Sequence, residues 1–132
     1  SNGTSAYGGD QAIGGKGRVE IAAGGSEEAF TGSIDREAVR KVIRSALPQF
    51  KACYEREYRR NSKLEGRVFI TWEIHAQGVA KNARVVKDKS TINNASVEEC
   101  VRTRMLSLKF PELADGSWAE VSYPFIFNGQ KL

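Results

Sequence analysis

The stretch Gly66-Arg-Val-Phe-Ile-Thr-Trp-Glu-Ile-His75 decides the fold that the rest of the chain has to complete. Large apolar residues occupy every second position of this stretch, namely Val68, Ile70, Trp72 and Ile74. This period is that of a β-strand with one buried face, and the β-branched and aromatic residue types suit a strand. Because Phe69 makes the opposite face partly apolar as well, we predict a strand with neighbours on both sides.

A second strand is predicted to follow through a short hairpin. Ala76-Gln-Gly78 interrupts the alternation, and its glycine can adopt the positive φ that closes such a turn. The strand is predicted to run from Val79 to Lys87, with Val79, Ala83 and Val85 on its inward face.

An amphipathic helix is predicted before the hairpin. Asp35 is its predicted N-cap, and apolar residues then recur at spacings of three and four to about Arg60. Because Pro48 lies inside this pattern and lacks a backbone donor, we expect a kink or a short break near Ala46 or Leu47.

A second helix and a last strand are predicted after the hairpin. Ser96-Val-Glu-Glu99 has the pattern of a capping box that starts the helix, and Phe110-Pro111 ends it. The last strand runs from Trp118 to Phe127 and alternates, with one face made of Ala119, Val121, Tyr123, Phe125 and Phe127. Pro124 cannot donate to a β-ladder, which favours a place for this strand at the edge of the sheet.

This order of elements predicts an α+β domain. If the second and third strands run parallel, the crossover rule places the first strand between them. The prediction is a three-stranded antiparallel or mixed sheet in the order second, first, third, with both helices packed on the face that carries Trp72.

The composition divides the chain into a linker, one domain and a tail. Residues 1–32 hold nine of the 13 glycines and few large apolar side chains, so we predict a flexible linker there, although residues 18–22 alternate and could form a short strand. The domain spans 33–129, and 130–132 form a tail. Ser1-Asn-Gly3, without an initiator methionine, is typical of a cloning remnant, so we expect a piece of a longer protein.

Charge and hydropathy argue against two classes of partner. The net charge is +4, but acidic and basic residues alternate along the first helix, which is typical of a solvated face and not of a nucleic-acid site. No run of 18 or more apolar residues appears, so we expect no direct membrane insertion by this piece.

The titratable residues do not form a recognisable catalytic pattern. His75 is the only histidine, and Gly14, Gly15 and Gly17 lack the Lys-Ser/Thr pair and the strand-to-helix context of a phosphate-binding loop. We therefore predict no enzyme activity, no metal and no cofactor.

Short motifs along residues 31–129 fall in the order found in one family of envelope proteins. They are Glu65-Gly66-Arg67-Val68, Gln77-Gly78-Val79, Leu108-Lys109-Phe110-Pro111 and Phe127-Asn128-Gly129. In this order they resemble the C-terminal domain of TonB, the energy transducer of the Gram-negative periplasm.

A second set of motifs resembles more closely the AgmX/PglI-type branch of gliding-motility proteins. The set comprises Cys53-Tyr54-Glu55, Ser90-Thr91, Val97-Glu98-Glu99-Cys100-Val101, Phe110-Pro111 and Tyr123-Pro124-Phe125-Ile126-Phe127. One departure is Leu106-Ser107-Leu108, where a basic residue and a tryptophan are usual, so no role of that tryptophan carries over.

The resemblance implies a non-catalytic periplasmic domain of a transducer that is anchored in the inner membrane. Such a domain captures an extended segment of a periplasmic or outer-membrane protein by β-strand addition and transmits force or position to it. The last strand is the predicted docking strand, with its partner-binding residues Trp118, Glu120, Val121, Ser122, Tyr123, Pro124, Phe125, Ile126 and Phe127. The alternative is a structural domain that dimerises through its edge strand.

Cys53 and Cys100 are the only cysteines, one on the apolar face of each predicted helix. Two helices that lie side by side on one sheet face could bring them within bonding distance, although two buried thiols are also common in cores. The oxidising compartment that the resemblance implies favours a disulfide between them.

Overall fold

A computed structural model of the chain describes residues 17–21, 27–114 and 116–129. The predicted tail, 130–132, and most of the glycine-rich start lie outside the described residues. The regular elements in chain order are β1 (Gly17–Ile21), β2 (Ala29–Thr31), α1 (Arg36–Tyr58), β3 (Gly66–His75), β4 (Ala80–Val85), α2 (Ala95–Leu106) and β5 (Trp118–Gly129). Short 3-10 turns at Ala76–Gly78 and Lys87–Lys89 flank β4.

The fold is α+β, as predicted, and its sheet has the strand order β1-β5-β3-β4 with antiparallel pairing throughout. β2 also pairs with β5, on the same side as β1. The three predicted strands lie in the predicted order, because β3 separates β4 from β5. The prediction of only three strands is wrong, since the segment predicted as a linker contributes β1 and β2.

The core lies between the sheet and the two helices. The alternating residues of β3 are fully buried there, namely Val68, Ile70, Trp72 and Ile74. The helices meet them with an apolar stripe made of Val39, Ile43, Ala46, Phe50, Cys53, Tyr54, Val97, Val101 and Met105. Both helices therefore cover the face of β3 that its alternation marks as buried, as the sequence predicts.

α1 begins at the predicted cap, where the Asp35 carboxylate accepts a hydrogen bond of 3.1 Å from the Ala38 N–H. The helix then continues through Pro48, so the short break predicted near Ala46 or Leu47 is absent. Pro48 is exposed, as is Arg44 one turn earlier, so the carbonyl that loses its partner lies on the solvent side. The buried face of α1 keeps its packing against the sheet, which holds the helix together.

α2 begins earlier than the predicted capping box. The Asn94 side chain accepts a hydrogen bond of 2.9 Å from the Val97 N–H and is the N-cap, whereas Ser96 lies inside the helix. Glu99 binds Arg102 in the next turn instead of reaching back to the start of the helix. The capping-box prediction is wrong because Asn94, an equally good cap residue, comes first along the chain.

β4 is shorter than predicted and carries a β-bulge that changes which side chains face inward. Thr71 pairs with Arg84 and Glu73 with Lys81, so β4 has one more residue than β3 across this step. Asn82, inside the step, has a φ of 54°. The bulge reverses the alternation, so Ala83 and Val85 face the core as predicted, but Val79 does not and is 41% exposed.

Cys53 and Cys100 form the disulfide, which joins α1 to α2 with a Cα–Cα distance of 5.7 Å. Cys53 is buried, and Cys100 is partly exposed beside the groove between the two helices. The side-by-side arrangement of the helices on one sheet face is what brings the two sulfur atoms together.

Reduction of this disulfide is expected to lower the free energy of unfolding by about 4 kcal/mol, because the bridge closes a long loop of the unfolded chain. Its sequence separation is 47 residues. The sheet and helices keep their apolar contacts, so the reduced domain should stay folded at a lower melting temperature. A Cys53→Ala, Cys100→Ala double variant is the control, since reductant should not change its stability. Two titratable thiols in unreduced, unfolded protein would contradict the prediction.

Candidate strand-addition site

The predicted docking strand, β5, lies inside the sheet and not at its edge. On one side β5 pairs with β3 from Trp118 to Phe127. On its other side, called here the outer side of β5, Phe125–Gly129 pair with β1 and Glu120–Ser122 pair with β2. The edge prediction is wrong because two short strands of the glycine-rich N-terminal segment cover this side.

The Pro124 nitrogen nevertheless faces away from β3, as expected for a proline that cannot donate to a β-ladder. Phe69, its register partner in β3, donates its N–H to Ser90 Oγ at 2.9 Å and accepts from the Val86 N–H at 2.8 Å. Both backbone groups of Phe69 are thus directed away from β5, so the Pro124 nitrogen is on the outer side. The missing donor therefore costs no bond to β3.

The outer side of β5 is divided at this proline. The register of β1 ends at Phe125 and that of β2 at Ser122, so Tyr123 and Pro124 have no outer partner among the described residues. By the same alternation, Glu120, Ser122, Ile126 and Asn128 direct their backbone N–H and C=O groups outward. The outer side thus consists of two short ladders separated by a residue that cannot donate.

The predicted partner-binding residues fall into two groups. The side chains of Val121, Tyr123, Phe125 and Phe127 are at most 1% exposed and belong to the core. Glu120, Ser122 and Ile126 lie on the opposite face and are half-buried, Pro124 is buried there, and Trp118 is 53% exposed. Only the second group leaves side-chain surface for another molecule.

Cross-strand contacts already engage part of that second group. Ser122 Oγ lies 2.8 Å from Thr71 Oγ1, and the Glu120 carboxylate accepts a hydrogen bond of 3.2 Å from Arg84. Ile126 makes no such polar contact, and it lies opposite Arg67 of β3. The part of β5 near Ile126 is therefore the better candidate for contact with a partner.

β2 is held on β5 by a set of side-chain contacts that the sequence analysis missed. The Arg40 Nε donates to the Glu28 carboxylate at 3.0 Å. The Phe30 ring packs edge-on against Tyr123 with centroids 6.3 Å apart, and the guanidinium groups of Arg36 and Arg40 each lie 5.4 Å from its centre. The sequence signal was Phe30, a large aromatic residue near the end of the glycine-rich segment 1–32.

The charges at this contact shift two pKa values. Burial acts to raise the pKa of the Glu28 carboxyl, but hydrogen bonds from Arg40 and Tyr123 outweigh it and hold the pKa below its usual value. Burial, followed by the hydrogen bond to Glu28, raises the pKa of the Tyr123 hydroxyl. Because the Glu28 pKa is lowered on folding, its carboxylate stabilises the fold above about pH 4.3, and this stabilisation is lost as the pH falls through the folded-state pKa.

Arg40→Ala is expected to raise the pKa of Glu28, because it removes the guanidinium that favours the carboxylate. Carbon-13 titration of the side-chain carboxyl groups measures this shift. Arg44→Ala is the matched control on the same helix, since Arg44 binds Glu37 at 2.7 Å and should change only that carboxyl. A Glu28 pKa that does not move in Arg40→Ala would contradict the prediction.

Among the described residues, the two exposed large apolar side chains are Val79 and Trp118, which lie where β3 ends and β5 begins. His75 stacks on Trp118 with ring centroids 6.1 Å apart, and its Nε2 lies 2.7 Å from the Glu73 carboxylate. A cavity of about 350 Å³ opens beside them, lined also by the exposed Val79. This surface belongs to the hairpin end of the sheet, at the other end of β5 from the residues that pair with β1.

The described residues show neither a metal-binding cluster nor a helix suited to a membrane. Across 27–114 and 116–129, no three or more His, Cys, Asp or Glu side chains are grouped so that they could hold a metal ion. Neither α1 nor α2 has the length and apolar character that crossing a bilayer requires.

Comparisons with protein-family models, with curated proteins and with solved structures found no match to this chain. The resemblance to the TonB C-terminal domain therefore rests on the sequence motifs alone.

Proposed function

We propose that this chain is a non-catalytic protein-interaction domain of a TonB-like transducer, of the kind found in gliding-motility or other envelope-spanning machines. It captures an extended segment of a periplasmic or outer-membrane protein by β-strand addition. The parent protein is anchored in the inner membrane, and the domain acts in the periplasm. No nucleic acid, metal or organic cofactor takes part.

The observation that carries this proposal is the pairing on the outer side of β5. Two separate short strands lie there in antiparallel register, one opposite Glu120–Ser122 and the other opposite Phe125–Gly129. The outward-facing backbone groups of Ile126 and Asn128 lie opposite the second of these strands, and this main-chain pairing is the kind that strand addition uses. This side of the sheet therefore accepts short extended segments from outside the body made of α1, β3, β4, α2 and β5.

The disulfide supports the proposed compartment. Disulfides persist in oxidising environments such as the periplasm and are rare in the cytosol. The Cys53–Cys100 bridge links the two helices that cover the core. In an oxidising compartment the bridge therefore adds to the stability of the domain.

A photo-crosslinking amino acid at position 126, introduced in the cells that make the protein, tests the proposal. Ile126 faces away from the helices, and Lys41, exposed on α1, is the control position. We expect position 126 to crosslink to an extended segment of another envelope protein, identified by mass spectrometry, and position 41 not to do so. Crosslinks to a partner from position 41 alone would overturn the proposal.

The alternative, self-association through a sheet edge, requires a strand whose outer side is open. Among the described strands, β4 has no strand paired on the side away from β3. However, β4 carries the bulge at Asn82 and exposed cationic residues, Lys81 and Arg84, and these features oppose edge-to-edge pairing. A sedimenting mass that rises with protein concentration, with crosslinks between two copies, would favour this alternative.

A further inference from the structure

The disulfide is accessible from solvent at one of its two residues. Cys53 is 1% exposed and belongs to the core, whereas Cys100 is partly exposed. Cys100 also lines a cavity of about 530 Å³ between α1 and α2. While the domain stays folded, a nucleophile from solvent therefore meets Cys100 and not Cys53.

Two arginines line the same cavity, one on each helix. Arg56 follows Cys53 by three residues on α1, which places both on one face of that helix. Arg104 follows Cys100 by four residues on α2 in the same way. Both arginines are exposed, and neither guanidinium has an ion pair or hydrogen bond with another of the described residues. The bridge is thus flanked by two positive charges that no carboxylate compensates.

The one carboxylate of the cavity lining does not cancel these charges. Glu99 accepts a hydrogen bond of 2.9 Å from the Nε of Arg102, which pairs its charge. Besides Cys100, the other lining residues are neutral, namely Ala95, Ser96 and Thr103. The surroundings of Cys100 are therefore cationic, and they favour the approach of an anionic molecule.

We infer that Cys100 is a site of thiol–disulfide exchange, where a dithiol on an acidic segment of a second protein reduces the Cys53–Cys100 bridge of the folded domain. This inference goes beyond strand addition at β5 and does not depend on it. The nucleophile in such an exchange is a thiolate, and its negative charge spreads over three sulfur atoms in the transition state. Arg56 and Arg104 stabilise this charge and attract the acidic residues around the dithiol.

The exchange consists of two steps. A thiolate of the dithiol bonds to the Cys100 Sγ, the Cys53–Cys100 bond breaks, and Cys53 leaves with the electron pair and takes a proton from water. The second thiolate of the dithiol then attacks the mixed disulfide and releases Cys100, which is protonated in turn. The dithiol is oxidised to a disulfide, and the bridge is reduced by two electrons to two thiols. Reduction unlinks α1 from α2, while the apolar contacts of both helices with the sheet remain.

Two capped peptides serve as probes on the full oxidised chain. Each carries a Cys-Gly-Cys dithiol, flanked on both sides by two aspartates in one peptide and by two lysines in the other. At low ionic strength we expect the acidic peptide to reduce the bridge at least about tenfold faster, with rates corrected for the thiolate fraction of each peptide. Monothiol forms, with Cys-Gly-Ser, trap the mixed disulfide. After an acid quench and alkylation, peptide mapping should find the adduct on Cys100 and a free thiol at Cys53.

Paired charge variants test the two arginines. In the double variant Arg56→Gln, Arg104→Gln, the preference for the acidic peptide should fall at least about threefold, because the cavity loses its positive charges. The double variant Lys41→Gln, Arg44→Gln removes the same charge from exposed positions of α1 and is the matched control. Arg44 lies 12 residues before Arg56, about 18 Å along the helix, so the control should keep the preference.

Three results would overturn the inference. The first is an adduct shared equally between Cys53 and Cys100, which would mean that the bridge reacts only after unfolding. The second is an equal rate with the two peptides, and the third is an equal fall in preference in both double variants. An adduct on Cys100, a faster acidic peptide and a fall confined to the variant of the cavity arginines together support it.

Discussion

Trp72→Ala is expected to lower the free energy of unfolding by roughly 3 to 5 kcal/mol, as for other large-to-small changes in a packed core. Trp72 is 0% exposed and lies in the middle of β3. Its ring packs against Phe110 at 5.8 Å and Tyr123 at 6.4 Å between centroids, so the variant loses contacts to two other elements at once. Such a loss is a large part of the total stability of a domain this size.

Trp72→Phe is the matched control, because it keeps an aromatic ring at the site. The Trp72 indole N–H has no hydrogen-bond partner among the described residues, so its removal leaves no donor or acceptor stranded. We expect this variant to lose less than half of what Trp72→Ala loses. Urea denaturation followed by circular dichroism measures both. A Trp72→Ala domain that stays within about 1 kcal/mol of the parent and loses binding to its partner would contradict the assignment of Trp72 to the packed core.

The body of the domain could be predicted because its elements carry their own periodic signals. The alternation in β3 identifies a strand with one fully apolar face, and the spacing in α1 identifies the stripe that covers it. Cys53 and Cys100 lie on those stripes, which makes a bridge geometrically reasonable, and the compartment implied by the resemblance favours it over two buried thiols. The predicted disulfide is confirmed.

The pairing of β1 and β2 with β5 could not be predicted in the same way, although the alternation of residues 18–22 does indicate the short strand that the structure places at Gly17–Ile21. β1 and β2 have five and three residues, and the glycines around them are typical of a linker. β1 and β2 are ordered because they pair with β5, about 100 positions later in the chain. No local sequence pattern indicates a pairing over that distance. In the sequence Pro124 favours an edge strand, and its nitrogen does face away from β3. A proline shows which way its nitrogen can face, but not whether another strand lies beyond it.

The strand predicted as the docking strand is therefore present as β5, but its surroundings differ from the prediction. Alternation alone separates the core residues of β5 from those on its other face, and the structure keeps that division. What alternation cannot show is the gap at Tyr123 and Pro124, or the contact between Phe30 and the two arginines. Both depend on the N-terminal segment folding back over the sheet.

Gly78 holds the β3–β4 turn against the segment that follows α2. Its backbone has a φ of +78°, and its carbonyl accepts a hydrogen bond of 3.0 Å from the Phe110 N–H. A Cβ built at Gly78 would lie 2.0 Å from the Phe110 carbonyl oxygen, which is too close for any side chain. The approach also positions the Phe110 ring, which packs on Trp72 in the core.

Gly78→Ala is therefore expected to cost about 3 kcal/mol or more, from the strain of a positive φ and from displacement of the Phe110 segment. Gly116→Ala is the matched control, because Gly116 has nearly the same φ, +79°, and a Cβ there meets nothing within 4 Å. Gly116→Ala should lose only the free energy that a positive φ costs a non-glycine residue, about 1 to 2 kcal/mol. Urea denaturation measures the free energy of unfolding of both variants. The difference between their losses is the cost of displacing the Phe110 segment, without the cost of the positive φ. Equal losses would mean that the Phe110 segment moves aside freely, and the turn would then not hold that segment in place.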